Sequence, residues 1–459
     1  MASGASLLCF LSLFSLFLFA SPTTITIPLY TSIKHPSSDP LQILNDLASL
    51  SISRARDHKS PKSNFSAVDI PLYSRSYGGY SIPLSFGTPP QNVRFVMDTG
   101  SSLVWFPCTP RYTCSGCNFL NVDPTKIPTF IPRRSSSAKL IGCKNPKCQW
   151  IFGPDVQSAC RDCDSNVQNC TKTCPPYAVQ YGLGSTTGLL LSETLDFSNQ
   201  TTVPDFLVGC SILSNRQPEG IAGFGRSRES IPSQLGAKKF SYCLQSRRYD
   251  ETSASSDLVL YTSSDSGHAK TKGVAYTRFM KNPNVSNTAL QSHYYVLLRR
   301  IIVGSKHVRV PYSFLVPGAD GDGGTIVDSG TTFTFMERPI FEPVAQEFEK
   351  QMANYTLATD VQNRTGLRPC FNISGHEFAS VPELIFAFKG GAKMELPLTN
   401  YFAIAGDGVV CLTIVTNNLA GPGAVSGPAI ILGNFQQQNF YIEYDVQNNR
   451  FGFKQQRCA

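Results

Sequence analysis

Two short stretches of the chain hold residues that can do acid–base chemistry in concert. They are Phe95-Val96-Met97-Asp98-Thr99-Gly100-Ser101-Ser102 and Thr325-Ile326-Val327-Asp328-Ser329-Gly330-Thr331-Thr332. In each, an apolar run with β-branched residues reads as a buried strand and stops at a carboxylate, a hydroxyl residue and a glycine. Each copy therefore puts one aspartate at a strand end, beside hydroxyls that can orient it and a glycine that permits a tight turn. One such turn only closes a hairpin in most chains, but two, one in each half, can bring both carboxylates to a shared face. Two unit charges about 4 Å apart repel by about 4 kcal/mol at an effective dielectric near 20, roughly three pKa units. One carboxylate then ionises readily while the other resists, and an acid and a base coexist at mildly acidic pH.

A second signature follows each turn, Ile221-Ala222-Gly223-Phe224-Gly225 in the first half and Ile431-Leu432-Gly433-Asn434 in the second. On these turns and signatures the chain resembles the pepsin-like aspartic endopeptidases over about residues 75 to 458. The resemblance implies an all-β, bilobal fold, two related six-stranded-barrel-type lobes with a cleft between them. It implies a catalytic dyad of Asp98 and Asp328, with Ser101 and Thr331 orienting the outer oxygens, Thr99 and Ser329 cross-linking the turns beneath, and Gly100 and Gly330 completing them. The activity implied is hydrolysis of polypeptide substrates at acidic pH through water activated by the dyad. Inhibition by pepstatin-type compounds and a monomeric state are implied too, with no cofactor and no metal. Tyr177 to Gly188 reads as strand, glycine-rich tip and return strand, and it resembles the family's flap. Tyr181, Gly182 and Leu183 would then lean over the cleft, with Trp105 as the hydrogen-bond partner of Tyr181. Leu183 stands where relatives carry an acidic residue or a hydroxyl, so its apolar tip bears on selectivity.

The elements that must position these residues fit the length and composition. A chain of 459 residues has room for two lobes, and 35 glycines, 31 prolines and only 16% charged residues suit many short strands and turns. Pro339 to Met352 reads as a helix. Residues 1–20 are uncharged and apolar and read as a signal peptide, which implies secretion to the extracellular space, apoplast or cell wall, or delivery to the vacuole. Residues 21–70 read as a propeptide, with a helix starting at Asp39-Pro40 that puts Leu41, Leu44, Leu47 and Ala48 on one face, followed by a basic stretch from Arg54 to Lys62. In the family such a stretch covers the carboxylate cleft, and by that analogy Arg54, Arg56, Lys59 or Lys62 would do so here; the same stretch reads equally as a solvated linker. The N-terminal lobe is expected over 71–285, and the C-terminal lobe over 286–459. No later run is long enough to anchor the chain in a membrane. The net charge of +8 is scattered, which suits weak adsorption to acidic wall polysaccharide and not nucleic acid.

Of 15 cysteines, Cys9 falls in the signal peptide and 14 remain. Nine crowd into the insert 108–174: Cys108, Cys114, Cys117, Cys143, Cys148, Cys160, Cys163, Cys170 and Cys174. Such a block lacks the apolar residues for a core and is read as disulfide-held, not zinc-binding. An odd count sends at least one partner outside, to Cys210, Cys243 or Cys458. A cysteine-rich insert here resembles the plant nepenthesin-like subgroup, and the family resemblance pairs Cys370 with Cys411. Sequons at Asn64, Asn169, Asn199, Asn284, Asn354, Asn363 and Asn372 suit the same secretory route. The chain has no Gly-x-Ser-x-Gly elbow and no His-Glu-x-x-His, its six histidines are scattered, and Gly318 to Gly324 lacks EF-hand spacing. The competing reading is a non-catalytic, glycanase-inhibitor-like or wall-binding protein on the same fold, because plant xylanase inhibitors resemble the cysteine-rich region.

Overall fold

Runs of Val, Ile, Leu, Phe and Tyr, cut every few residues by Gly or Pro, fold as strands through both halves of the chain. The computed structural model describes residues 24–31, 39–61, 79–117, 123–153, 156, 160, 163, 170–181, 184–197, 201–246, 255–262, 270–284, 288–375, 380–406, 408–417 and 425–458. Residues 1–20, read as a signal peptide, Lys62 and the end of the stretch read as a propeptide, Gly182, Leu183 and the sequons at Asn64, Asn169 and Asn199 lie outside them. Asn284, Asn354, Asn363 and Asn372 are exposed.

The largest sheet runs through both lobes. In spatial order it includes Ala275–Arg278, Arg450–Gln455, Phe440–Asp445, Lys239–Cys243, Ser255–Tyr261, Thr24–Thr31, Tyr80–Phe86, Gln91–Asp98, Gly220–Gly223 and Trp105–Pro107. The lobes meet where Lys239–Cys243 pairs antiparallel with Phe440–Asp445, and the Cys243–Cys458 disulfide ties the same edge. The C-terminal strands thus do more than close their own lobe. A five-stranded sheet in the second lobe brings together Tyr295–Val296, Thr325–Val327, Ile430–Leu432, Thr334–Met336 and Ile414–Val415. Helix Arg338–Gln351 packs Ile340, Phe341, Val344, Ala345 and Phe348 into the core, close to the expected span.

The stretch ahead of Tyr80 is built into the fold. Thr24–Thr31 is a strand between Ser255–Tyr261 and the start of Tyr80–Phe86. The helix runs Pro40–Asp57, with the Asp39 carboxylate accepting from the Leu41 amide at 3.0 Å. Its buried face carries Ile43, Leu44, Leu47, Ala48, Leu50 and Ala55. The helix continues through Arg54 and Arg56 instead of stopping before the basic stretch: between Pro40 and Pro61 there is no Gly or Pro, and cations in a last turn suit the helix dipole.

All 14 cysteines from Cys108 onward are bridged. Cys108 pairs with Cys210, so it is Cys108 that reaches outside the insert, and Cys370 pairs with Cys411. Within the insert the pairs are Cys114–Cys117, Cys143–Cys160, Cys148–Cys174 and Cys163–Cys170. The insert also corrects an expectation, because Ile141, Cys148, Val156, Cys160 and Cys174 join Trp105, Tyr177, Tyr181, Leu190 and Leu207 in a small core beside strands Tyr177–Tyr181 and Gly184–Asp196. Disulfides hold residues that also pack. Cys108–Cys210 spans 102 residues, so the Cys108→Ser/Cys210→Ser double variant is expected to lose about 4 to 5 kcal/mol, read as a lower urea midpoint under oxidising conditions.

Candidate active site

The two aspartate turns are built alike. Gln91–Asp98 lies parallel to Gly220–Gly223, with Gly223 opposite Asp98, and Thr325–Val327 lies parallel to Ile430–Leu432. Each apolar-apolar-Gly signature is therefore the strand beside its own aspartate. The Gly100 amide donates to Asp98 Oδ1 at 2.9 Å, and the Ser101 hydroxyl to Oδ2 at 2.5 Å. Across the interface the Gly330 amide donates to Asp328 Oδ1 at 2.8 Å, and the Thr331 hydroxyl to Oδ2 at 2.6 Å.

Beneath the carboxylates the turns are cross-linked. The Ser329 amide donates to Thr99 Oγ1 at 2.9 Å, the Thr99 amide to Ser329 Oγ at 3.1 Å, and the Ser329 hydroxyl to the Met97 carbonyl at 3.0 Å. The Asn434 side chain donates to the Ser329 carbonyl at 2.9 Å from the second signature strand's end. The glycines serve this closeness more than any unusual backbone angle: a Cβ on Gly100 would lie 2.6 Å from the Asp328 carboxyl carbon, and one on Gly330 would strike Asp98.

One guanidinium joins both aspartates. Arg54 Nη2 donates to Asp98 Oδ1 and Oδ2 at 2.6 and 2.7 Å, and its Nε donates to Asp328 Oδ2 at 3.2 Å. His58 Nε2 lies 2.9 Å from the same Asp328 oxygen. Lys59 pairs with Glu337 outside the dyad, and Arg56 touches neither aspartate. Of the four basic residues the sequence offered, Arg54 is the one in the dyad, whereas Lys62 lies outside the described residues. Tyr181 closes over it, its ring 5.9 Å from the Arg54 guanidinium carbon and its hydroxyl accepting from Trp105 Nε1 at 2.9 Å.

Burial raises the Asp98 pKa, against the pull of Arg54. Asp328 is equally buried, but Arg54, His58 and the Thr331 hydroxyl together hold it well below the usual carboxylate range. For Arg54, burial disfavours the charge and the two aspartates more than restore it, so its pKa is raised. Asp57, at the helix end, is pushed up to about 7 by burial. Sequence reasoning missed His58 and His293, whose rings meet edge to face with centroids 4.6 Å apart. Their contact depends on the helix docking into the second lobe, 235 positions away, and no local pattern marks it.

Two β lobes that meet at paired, cross-linked Asp-Thr/Ser-Gly turns define an aspartic protease fold. Residues 80–260 match the family described as xylanase inhibitor N-terminal, and 293–455 the one described as xylanase inhibitor C-terminal. The chain is 31% identical to a probable aspartyl protease of Arabidopsis thaliana, covering 85% of this chain and 84% of that protein. It is also 31% identical to aspartic proteinase nepenthesin-1 of Nepenthes gracilis, covering 86% and 81%. The chain belongs to the pepsin-like aspartic protease family, in its plant nepenthesin-like branch. Solved structures with the same fold are EDGP (TM-score 0.64, 20% identical, 95% of each chain covered) and soybean basic 7S globulin (0.60, 18%, 95% and 98%). Among the described residues no helix is long and apolar enough to cross a membrane.

The cross-link carries a stability prediction. Thr99→Val keeps the shape but strands the buried Ser329 amide, and it is expected to cost about 1 to 3 kcal/mol in a urea titration. Thr99→Ser should recover most of that loss.

Proposed function

We propose that the protein is a secreted aspartic endopeptidase that hydrolyses polypeptides at acidic pH through Asp98 and Asp328. The observation that carries this reading is the reach of a single guanidinium to both carboxylates, each held by one amide and one hydroxyl. With Arg54 and His58 gone, the two sites have matched hydrogen bonds, so the pair titrates as a unit and shares a proton. The ionised member takes a proton from water as that water attacks the scissile carbonyl, while the protonated member donates to the carbonyl oxygen. The proton then passes to the leaving amine, and no covalent enzyme adduct forms.

On this reading residues 1–20 are a signal peptide removed on the way to the apoplast, wall or vacuole, and the segment that ends between Lys62 and Tyr80 is an inhibitory propeptide. The helix packs in one apolar cluster with Phe333, Phe335, Ile431 and Phe435, and on this reading its withdrawal offers that apolar surface to a peptide substrate. The second reading, a non-catalytic inhibitor-like protein, draws on the xylanase-inhibitor descriptions of both matched regions. Hydrolysis of denatured casein by acid-treated protein, from about pH 2.5 to 7 with and without pepstatin, separates the two. Acid-limited, pepstatin-blocked cleavage is expected, with at least a thousandfold loss in Asp98→Asn and Asp328→Asn, an order of magnitude set by removing half of an acid–base pair. Silence at every pH from folded protein freed of its propeptide would favour the second reading.

Asp328 sets the direction of the pH response. Its pKa is depressed while Arg54 and His58 touch it, so these contacts favour closure above the ordinary carboxylate value and are lost as pH falls through the lowered one. Asp98 and Asp57 act in the opposite sense, since burial raises both and closure then favours their protonated forms. Arg54 is the group that opposes both raised values, so its removal withdraws the stabilisation of the closed form near neutrality. The Arg54→Gln precursor is expected to cleave a quenched peptide at about pH 6, where the wild-type precursor is silent. Equal silence of the two would assign closure to the apolar helix face alone.

A further inference from the structure

His293 lies in the second lobe, just ahead of strand Tyr295–Val296, and is 1% exposed. Neither of its ring nitrogens has a hydrogen-bond partner, and the hydroxyl of neighbouring Tyr295, whose ring centroid is 6.2 Å away, is likewise unpartnered and buried. Leaving such groups unmade in a folded interior costs free energy, which calls for a compensating use. The backbone holding His293 is fixed on three sides. The Arg226 amide donates to the Ser292 carbonyl at 2.8 Å, the Asn282 side chain to the His293 carbonyl at 2.8 Å, and the Val327 amide to the Tyr294 carbonyl at 3.2 Å.

The segment before Tyr80 contributes to that burial. The ring of His58 lies against His293, and both face the dyad: Asp328 of the second lobe, Arg54 of the helix and the Gly100 backbone of the first lobe are the polar groups around the His293 imidazole. Burial, and then His58, keep its pKa well below the usual histidine value while the segment is in place. Removing the segment takes away His58 and Arg54 and leaves the imidazole between Asp328 and the Gly100 backbone, with ring nitrogens that make no hydrogen bond in the closed form turned to a ligand. The side chain that the segment itself lays there is polar, not apolar.

We propose that His293 is a specificity-determining residue of the open cleft, which hydrogen-bonds a carboxylate or carboxamide side chain of the substrate close to the scissile bond. This rests on the protease reading. His58 and Arg54 both oppose charge on this ring and Asp328 favours it, so loss of the segment at acidic pH favours the imidazolium, whose N–H donors suit the oxygens of Glu, Gln, Asp or Asn and disfavour Lys and Arg. A site built to hydrogen-bond a substrate group discriminates against analogues that lack it, because its own polar atoms are then left unmade.

The test is cleavage-site profiling of a mixed peptide library by the activated wild-type enzyme and by His293→Phe and His293→Gln, with kcat/KM then measured on peptides that differ only at the affected position. Ratios between peptides within one variant do not depend on how much of it folds, and the glutamine variant covers failure of the phenylalanine one. Wild type is expected to prefer Glu or Gln over Leu at one position within about two residues of the cut, by about tenfold. His293→Phe should invert that preference, and His293→Gln should keep Gln while losing Glu. Identical profiles for all three would overturn the role of His293 and leave the protease reading standing. A wild-type enzyme that cuts no peptide would overturn both.

Discussion

Two carboxylates buried at one point are the constraint on which the rest of the structure depends. Asp98 is 2% exposed and Asp328 not exposed at all, and neither can stay ionised there without compensation. Part of that compensation is local and permanent: an amide and a hydroxyl on each carboxylate, set by the same four-residue turn on both sides. The turns can approach so closely only because residues 100 and 330 lack side chains and because Thr99 and Ser329 exchange hydrogen bonds below. The remaining compensation is a charge that comes from outside the lobes. Arginine suits this place, since its planar fork donates to both aspartates from separate nitrogens, which a lysine ammonium would have to do from one point.

That external charge explains why an 18-residue helix and an eight-residue strand precede the first lobe in the fold. The strand Thr24–Thr31 occupies a position within the interlobe sheet, and the helix lays its apolar face on the second lobe. Between them they deliver Arg54 and His58 to the dyad at a fixed height under Tyr181. The cation is thus positioned by backbone pairing and packing at sites remote from it. A short basic peptide would have the charge without the placement.

Much of this was legible in the sequence because it is local. The strand-turn pattern around Asp98 and Asp328, the signatures at Gly223 and Gly433 and the helix start at Asp39-Pro40 each reside in a short window of residue types, whereas the pairing of Trp105 with Tyr181, 76 positions apart, came from the family resemblance. The all-β, bilobal fold followed from the repeat and the family resemblance. What could not be read was set by docking. Nothing near residue 54 says which of several basic side chains meets the dyad, and His293 sits in an apolar strand context where a histidine reads as core. The insert misled for a related reason: its scattered Ile141 and Val156 have no periodicity, yet they pack because the disulfides carry them onto Tyr177, Tyr181 and Leu190. Cys108 went to Cys210 because the strand Trp105–Pro107 runs parallel to Thr202–Asn215, a pairing that spans about a hundred residues and leaves no local trace.

The helix also limits what acid alone can do. Ile43, Leu44, Leu47 and Leu50 are each almost fully buried, and at about 1.5 to 3 kcal/mol apiece their burial is a large gross stabilisation that does not depend on pH. Protonating the dyad weakens the contacts of Arg54 but leaves that apolar face in place. An uncut precursor that opens can therefore close again on that face, and lasting escape of the segment needs the chain between Pro61 and Tyr80 to be cut as well. Once it is cut, closure becomes a bimolecular event and loses the high effective concentration that the tether supplied. On the proposed reading, acid loosens the charge contact and cleavage makes its loss permanent, so the order of the two steps is set by which part of the interface each can reach.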